Sequence, residues 1–237
     1  MEIHRQVRRS REKRLGAKRL ETLTKMNNLA MVLLELKRLF EAREIMREVC
    51  EERKLQLGKE HPWTLWALCN LAKINIELGL LQEAENMLVD GIAAGKRSLS
   101  DDHLGVLMGC GELARVYARQ GRFDEAEKLT LDTIRRMEKS RWPEHLDSIY
   151  AMWKLAKLYE LQNNIEKAVR ACEVALERVA IRLTQQHPFH EKVESNFYSL
   201  RRRLRPNAEG HPLDERHEIE SNITQYAHSR RRSQRTW

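Results

Sequence analysis

The sequence predicts an all-α fold, a right-handed α-α superhelix (a solenoid) of about four and a half stacked helical hairpins. Three observations predict it: an internal period of 42 residues, helical spacing of the apolar residues inside each period, and alanines held in register between periods. Ala30, Ala72, Ala114 and Ala156 are 42 apart, as are Ala42, Ala84, Ala126 and Ala168, and His61, His103, His145 and His187. Leu29, Leu71, Leu113 and Leu155 make a fourth series, and Leu39, Leu81, Phe123 and Ile165 a fifth. Five interleaved series without slip define repeats at about 22–63, 64–105, 106–147 and 148–189.

Each repeat reads as two amphipathic helices, A and B. Leu68, Leu71 and Ala72 mark one apolar stripe; Leu81, Ala84, Leu88 and Ile92 mark the next. Helix A is expected at about 22–36, 64–78, 106–120 and 148–162, and helix B at about 40–56, 82–97, 124–139 and 166–182. Between them Lys37, Gly79, Gly121 and Asn163 share a phase where the chain must turn through a left-handed residue, which Gly and Asn tolerate and Lys does not. Between repeats, Pro62 and Pro188 follow a His where the next helix begins. The paired alanines let helix axes approach within roughly 8–10 Å. A lone hairpin cannot bury both faces, so stacking is obligatory.

Residues 1–20 read as a half repeat. Ile3, Val7 and Leu15-Gly16 align with Ile45, Val49 and Leu57-Gly58, so residues 1–14 resemble a B helix without its A helix. The expectation is either an imperfect cap or a fragment of a longer chain. Residues 190–204 carry a polar-faced capping helix in A phase, giving a solenoid over 1–204, and 205–237 is expected to be a basic, largely disordered tail.

Of the formal charge of +8, residues 1–20 hold a net +6 and residues 201–237 a net +4, leaving the body at −2. Basic ends could suit nucleic acid or an anionic membrane surface, but solvated charge at a helix end and in a tail is the favoured reading, and nucleic acid is not an expected partner. The longest aliphatic run, Leu29 to Leu34, is far short of the roughly 20 residues of a membrane span. A charged start with no apolar block is not a secretory signal, so the expected location is the cytoplasm. Cys50, Cys69, Cys110 and Cys172 are scattered singly and read as free, buried thiols.

The run Asn70-Leu71-Ala72 through Gly79 to Glu83-Ala84, and again Leu113-Ala114 through Gly121 to Glu125-Ala126, resembles the tetratricopeptide repeat. The longer period, with Leu57-Gly58-Lys59-Glu60-His61-Pro62 joining repeats, is similar to the variant found in kinesin light chains and in the C-terminal arrays of nucleotide-binding immune-type receptors. The resemblance covers about residues 1–204. It implies a scaffold that binds proteins or peptides on a concave surface lined by the A helices.

An Asn at one A-helix position bonds a peptide backbone in that family, and the resemblance passes this role to Asn28 and Asn70; Glu112 and Lys154 depart from it. A second row is Met31, Lys73, Arg115 and Lys157, and a third is Thr24, Trp66, Met108 and Tyr150 with Trp153 beside it. Lys73, Arg115 and Lys157 form a cationic stripe, while Trp66, Tyr150 and Trp153 offer apolar anchors. The expected ligand is a peptide with Asp or Glu beside an aromatic residue or Leu. Reversing the three charges together is expected to abolish capture and leave the melting temperature nearly unchanged. The competing reading is that the rings wedge between hairpins and the stripe is ordinary solvated charge.

The four periodic histidines lie too far apart to share an ion, so each is expected to pack in its loop and bond a helix end. Gly91 to Ser98 has three residues between its glycines, an Arg before the Ser and no preceding strand, so it is not a phosphate loop. Gly109-Cys110-Gly111 lacks the third glycine of a dinucleotide fingerprint. The sequence therefore reads as non-enzymatic, with no cofactor, metal or small-molecule substrate. Two alternatives remain: a sensor or self-association fragment of a larger nucleotide-binding signalling receptor, and nucleic-acid or membrane binding through the basic ends. The exposed half repeat offers a surface through which two copies could pair.

Overall fold

The computed structural model describes residues 2–141, 143 and 145–204, with only the backbone for 2–18 and 141. Every regular element among the described residues is a helix, and the chain divides between Gly121 and Arg122 into two compact units. The first unit holds α1 (Glu2–Glu35), α2 (Leu39–Leu57), α3 (Pro62–Glu77), α4 (Leu81–Ser98) and α5 (Leu104–Arg119). The second holds α6 (Phe123–Arg141), α7 (Leu146–Leu161), α8 (Ile165–Arg182) and α9 (Pro188–Leu204). Consecutive helices pack as antiparallel hairpins within each unit, and α3 also packs on α5.

The periodic alanines occupy matching environments. All eight are 3% exposed or less, as small residues are where helices pack closely. The first unit's core joins Leu23, Leu33, Met46 and Val49 to Leu71 and Ile74. In the second, Val193, Phe197 and Leu200 bury one face of α9 against α8.

The turns form where the sequence places them. Lys37, Gly79, Gly121 and Asn163 have φ of 60°, 79°, 79° and 57°. Each histidine caps a helix: the Nδ1 atoms of His61, His103, His145 and His187 accept the backbone N–H of Trp63, Gly105, Asp147 and Phe189 at 3.1, 3.1, 3.3 and 3.2 Å. The repeated histidine is thus a repeated N-cap, as expected of a loop residue bonding a helix end.

The backbone of the first twenty residues differs from expectation. There is no separate half-repeat helix and no junction before residue 22, because α1 runs unbroken from Glu2 to Glu35. The later junctions carry a capping His, followed in two cases by Pro; the matching positions here are Arg19 and Leu20. Neither supplies the acceptor or the missing N–H that would stop one helix and start another. The expected basic tail lies outside the described residues.

Candidate functional site

In the first unit the candidate residues project from α1, α3 and α5. Asn28 is exposed, and its Oδ1 accepts from Asn27 Nδ2 at 3.4 Å. Asn70 is buried, with both ends of its amide engaged: Nδ2 donates to Asn27 Oδ1 at 3.0 Å, and Oδ1 accepts from Lys73 Nζ at 3.3 Å. Trp66, one turn before Asn70, is 43% exposed. The position that the repeat gives to Asn in α1 and α3 is Glu112 in α5, whose side chain is only 2% exposed.

Lys73 and Arg115 close around this buried carboxylate. Lys73 Nζ lies 4.0 Å from Glu112 Oε1, and Arg115 Nη1 lies 3.5 Å from Oε2. Arg115 Nη2 also grips Glu77, which in turn pairs with Lys37 at 3.4 Å. The result is a polar ladder from Asn28 through Asn27, Asn70, Lys73, Glu112 and Arg115 to Glu77 and Lys37. Two of the three members of the sequence-predicted stripe, Lys73 and Arg115, therefore belong to a structural network, since desolvating Glu112 is tolerable only with cations beside it.

The second unit combines rings and cations differently. Tyr150, Trp153 and Phe189 form a three-ring cluster with centroids 5.7, 5.7 and 6.0 Å apart. Tyr150 is 41% exposed, whereas Trp153 is buried and donates Nε1–H to Asn196 Oδ1 at 3.1 Å. Lys154 Nζ lies 5.0 Å from the centre of the Tyr150 ring, and Lys157 and Lys192 lie 6.0 and 5.1 Å from that of Trp153. Lys157 also pairs with Glu160 at 2.9 Å, and Arg203 reaches the same carboxylate at 3.0 Å. Burial pushes the Glu160 carboxyl up, but the Lys157, Asn196 and Arg203 contacts outweigh it and hold the group below its ordinary range.

Glu77, Glu160, Phe189, Lys192 and Asn196 do not figure in the sequence-based rows. Asn196 was within reach, since it stands 42 residues past Lys154 in the row of Asn28 and Asn70. The carboxylates were not, because Glu77 and Glu160 do not share a phase; only packing shows that both serve the same kind of face.

The tetratricopeptide repeat family model matches residues 4–97 and 102–179, most of the chain. The chain is a tetratricopeptide repeat protein. No curated protein matches it. Among solved structures, crystals of kinesin light chain TPR-like repeats from Podosopora anserina are similar: one is 23% identical over 89% of this chain and 96% of that one, with a TM-score of 0.60. BtubC (BKLC) from P. vanneervenii is 14% identical over 90% of this chain and 81% of its own, with a TM-score of 0.62. At these identities the likeness is one of fold, and the fold is kinesin-light-chain-like. Tetratricopeptide arrays are typically interaction scaffolds rather than catalysts, and among the described residues no helix is long and apolar enough to cross a membrane.

Proposed function

We propose that this tetratricopeptide protein is a non-enzymatic cytoplasmic scaffold that binds a peptide bearing acidic residues beside an aromatic residue or Leu on its A-helix faces. The observation that carries the reading is the cluster of Tyr150, Trp153 and Phe189 with three lysine ammonium groups over its rings. An apolar side chain seats on the half-exposed Tyr150, while acidic neighbours meet Lys154, Lys157 and Lys192. In the first unit the exposed Asn28 and Trp66 are the groups available for contact. There Asn70, Lys73 and Arg115 serve mainly to hold the face in shape, and Trp153 has that role in the second unit. A preformed surface spares the scaffold most of the ordering cost of binding.

The test is fluorescence polarisation with a labelled peptide in which one Trp is flanked by Asp and Glu. Binding at about micromolar Kd, roughly −8 kcal/mol, is expected. Replacing Lys154 and Lys192 by Glu is expected to weaken it at least tenfold without lowering the melting temperature. Equal affinity in the variant would sink the reading.

A second reading, self-association, is favoured by the outer face of α1. Leu29, Val32 and Leu36 are 50%, 55% and 63% exposed. The counterparts of Leu29 and Val32 one period on, Leu71 and Ile74, are buried, as are Leu113 and Val116 and then Leu155 and Leu158, and the counterpart of Leu36, Leu78, is half-buried. Within the first unit α3 and α5 have this face covered by the hairpin before; on α1 a second copy supplies the cover. Sedimentation should show a dimer that dissociates in Val32→Asp, and a chain that stays monomeric at high concentration refutes the reading.

A further inference from the structure

The repeat supplies its own control for a feature of the first unit, because residues 84 apart share an environment. The B helices α6 and α8 are tied together twice: Lys167 meets Glu127 at 3.2 Å, and Arg178 meets Glu138 at 2.6 Å. The first tie recurs between α2 and α4 with its charges exchanged, as Arg43 and Glu83 at 2.7 Å. The second does not recur. Its positions hold Lys54 and Ala94, so no side chain spans the gap from α4, and a cleft of about 590 Å3 opens there.

Small residues on α4 deepen the opening. A Cβ at Gly91 would stand 3.1 Å from Leu68 Cδ1, so the glycine brings α4 tightly onto α3 and leaves its own cleft-facing surface bare. The floor is apolar: Leu68 and Leu71 of α3, Met87, Gly91 and Ala94 of α4, and Cys50 of α2. Charges stand around the rim. Glu83 is held by Arg43 and Arg97 by Glu60, whereas among the described residues Arg47, Lys54 and Lys59 carry neither a hydrogen bond nor an ion pair from their side chains. Glu51 and Asp90 line the middle of the rim. Lys54, Lys59 and Arg97 gather at the end where α2 and α4 finish, the end that has lost its Glu138 counterpart.

We propose that this cleft between α2 and α4 is a binding site for a small amphiphilic organic anion. Its aliphatic or aromatic body lies on Leu68, Leu71 and Met87, and its single anionic head meets Lys54 and Lys59. The head pairs with Lys54 across the gap that Arg178 spans in the second unit, with the charges of that pair exchanged. The volume falls within the 300–1,000 Å3 usual for small-molecule sites, and an apolar floor with a few polar groups at one end is their usual construction. The cleft opens between the B helices α2 and α4, and its lining holds none of Asn28, Trp66, Asn70, Lys73 or Arg115, so it is distinct from the proposed peptide face.

The probe is 1-anilinonaphthalene-8-sulfonate, an aromatic body with one anionic head, titrated into the full chain carrying 13C-labelled methionine methyls. The Met87 methyl resonance is expected to shift saturably, while Met31, beside the exposed face of α1, reports any binding there. Inorganic phosphate, a head without a body, is expected to leave Met87 unmoved. Writing the second unit's ion pair into the first, as Lys54→Glu with Ala94→Arg, fills the cleft and is expected to abolish the Met87 shift while circular dichroism stays helical. Should that pair impair folding, Lys54→Glu alone, at an exposed position, is expected to raise half-saturation about tenfold. A Met87 shift that survives these changes, or one that never appears while Met31 moves, overturns the proposal.

Discussion

Removing the cations around Glu112 is the sharpest test of the polar ladder. Glu112 is almost fully buried, and Lys73 and Arg115 approach its two oxygens at 4.0 and 3.5 Å. At an effective dielectric near 20, each such pair is worth about 4 kcal/mol of Coulomb energy, most of which offsets the desolvation of the carboxylate. Taking away one cation leaves the other in place, so Lys73→Met or Arg115→Met is expected to cost about 1 kcal/mol. Taking away both removes the two cations that face this buried carboxylate, and the double variant is expected to lose about 3–5 kcal/mol. That corresponds to a fall of roughly 10–30 °C in the melting transition of a unit of this size. The measurement is urea denaturation followed by far-ultraviolet circular dichroism, repeated with Glu112→Gln added. The amide removes the buried charge itself, so the triple variant should recover much of the loss. A double variant within about 0.5 kcal/mol of the parent, or a triple variant no better than the double, would refute the argument. The same reasoning corrects the sequence-based expectation that reversing Lys73, Arg115 and Lys157 leaves stability untouched: the first two hold a buried carboxylate.

Three other outcomes follow from local geometry. Lys37→Gly is expected to stabilise by about 1 kcal/mol in thermal melts, because φ of 60° strains a lysine and its exposed pair with Glu77 adds little. His103→Ala should cost about 1 kcal/mol by the same assay, since the Gly105 N–H loses its acceptor, and His103→Asn should restore it. Tyr159 is pushed up to about 12, first by burial and then by its hydrogen bond to Glu127, so its phenol should ionise after the exposed tyrosines in an ultraviolet titration. The folded state favours the neutral phenol and the unfolded chain ionises near 10, so this contribution is intact below about pH 10 and is lost as pH rises towards 12. Tyr159→Phe should flatten that limb of the stability profile.

The period of 42, the eight buried alanines, the four left-handed turns and the existence of both helices in every repeat were legible in the amino-acid sequence. Each depends on residues close in the chain or repeated in phase, where backbone sterics and helical spacing leave one solution. The capping role of the histidines was legible for the same reason. The unbroken α1 was half legible: Arg19 and Leu20 lack the stop signals of later junctions, but the apolar phase of Ile3 and Val7 suggested a separate helix.

Tertiary packing alone decided which predicted site residues stay exposed and which are buried or paired. Asn28 and Asn70 are equivalent in sequence, yet Asn28 is exposed and Asn70 is locked between Asn27 and Lys73. Likewise Leu29 is half exposed while Leu71, Leu113 and Leu155 are covered. The reason is physical: a repeat fixes the direction of a side chain relative to its own hairpin, but burial and pairing depend on the neighbouring hairpin. Sequence periodicity therefore determined what each hairpin is, and the stacking of unlike neighbours determined which charges are spent on structure and which surfaces stay open.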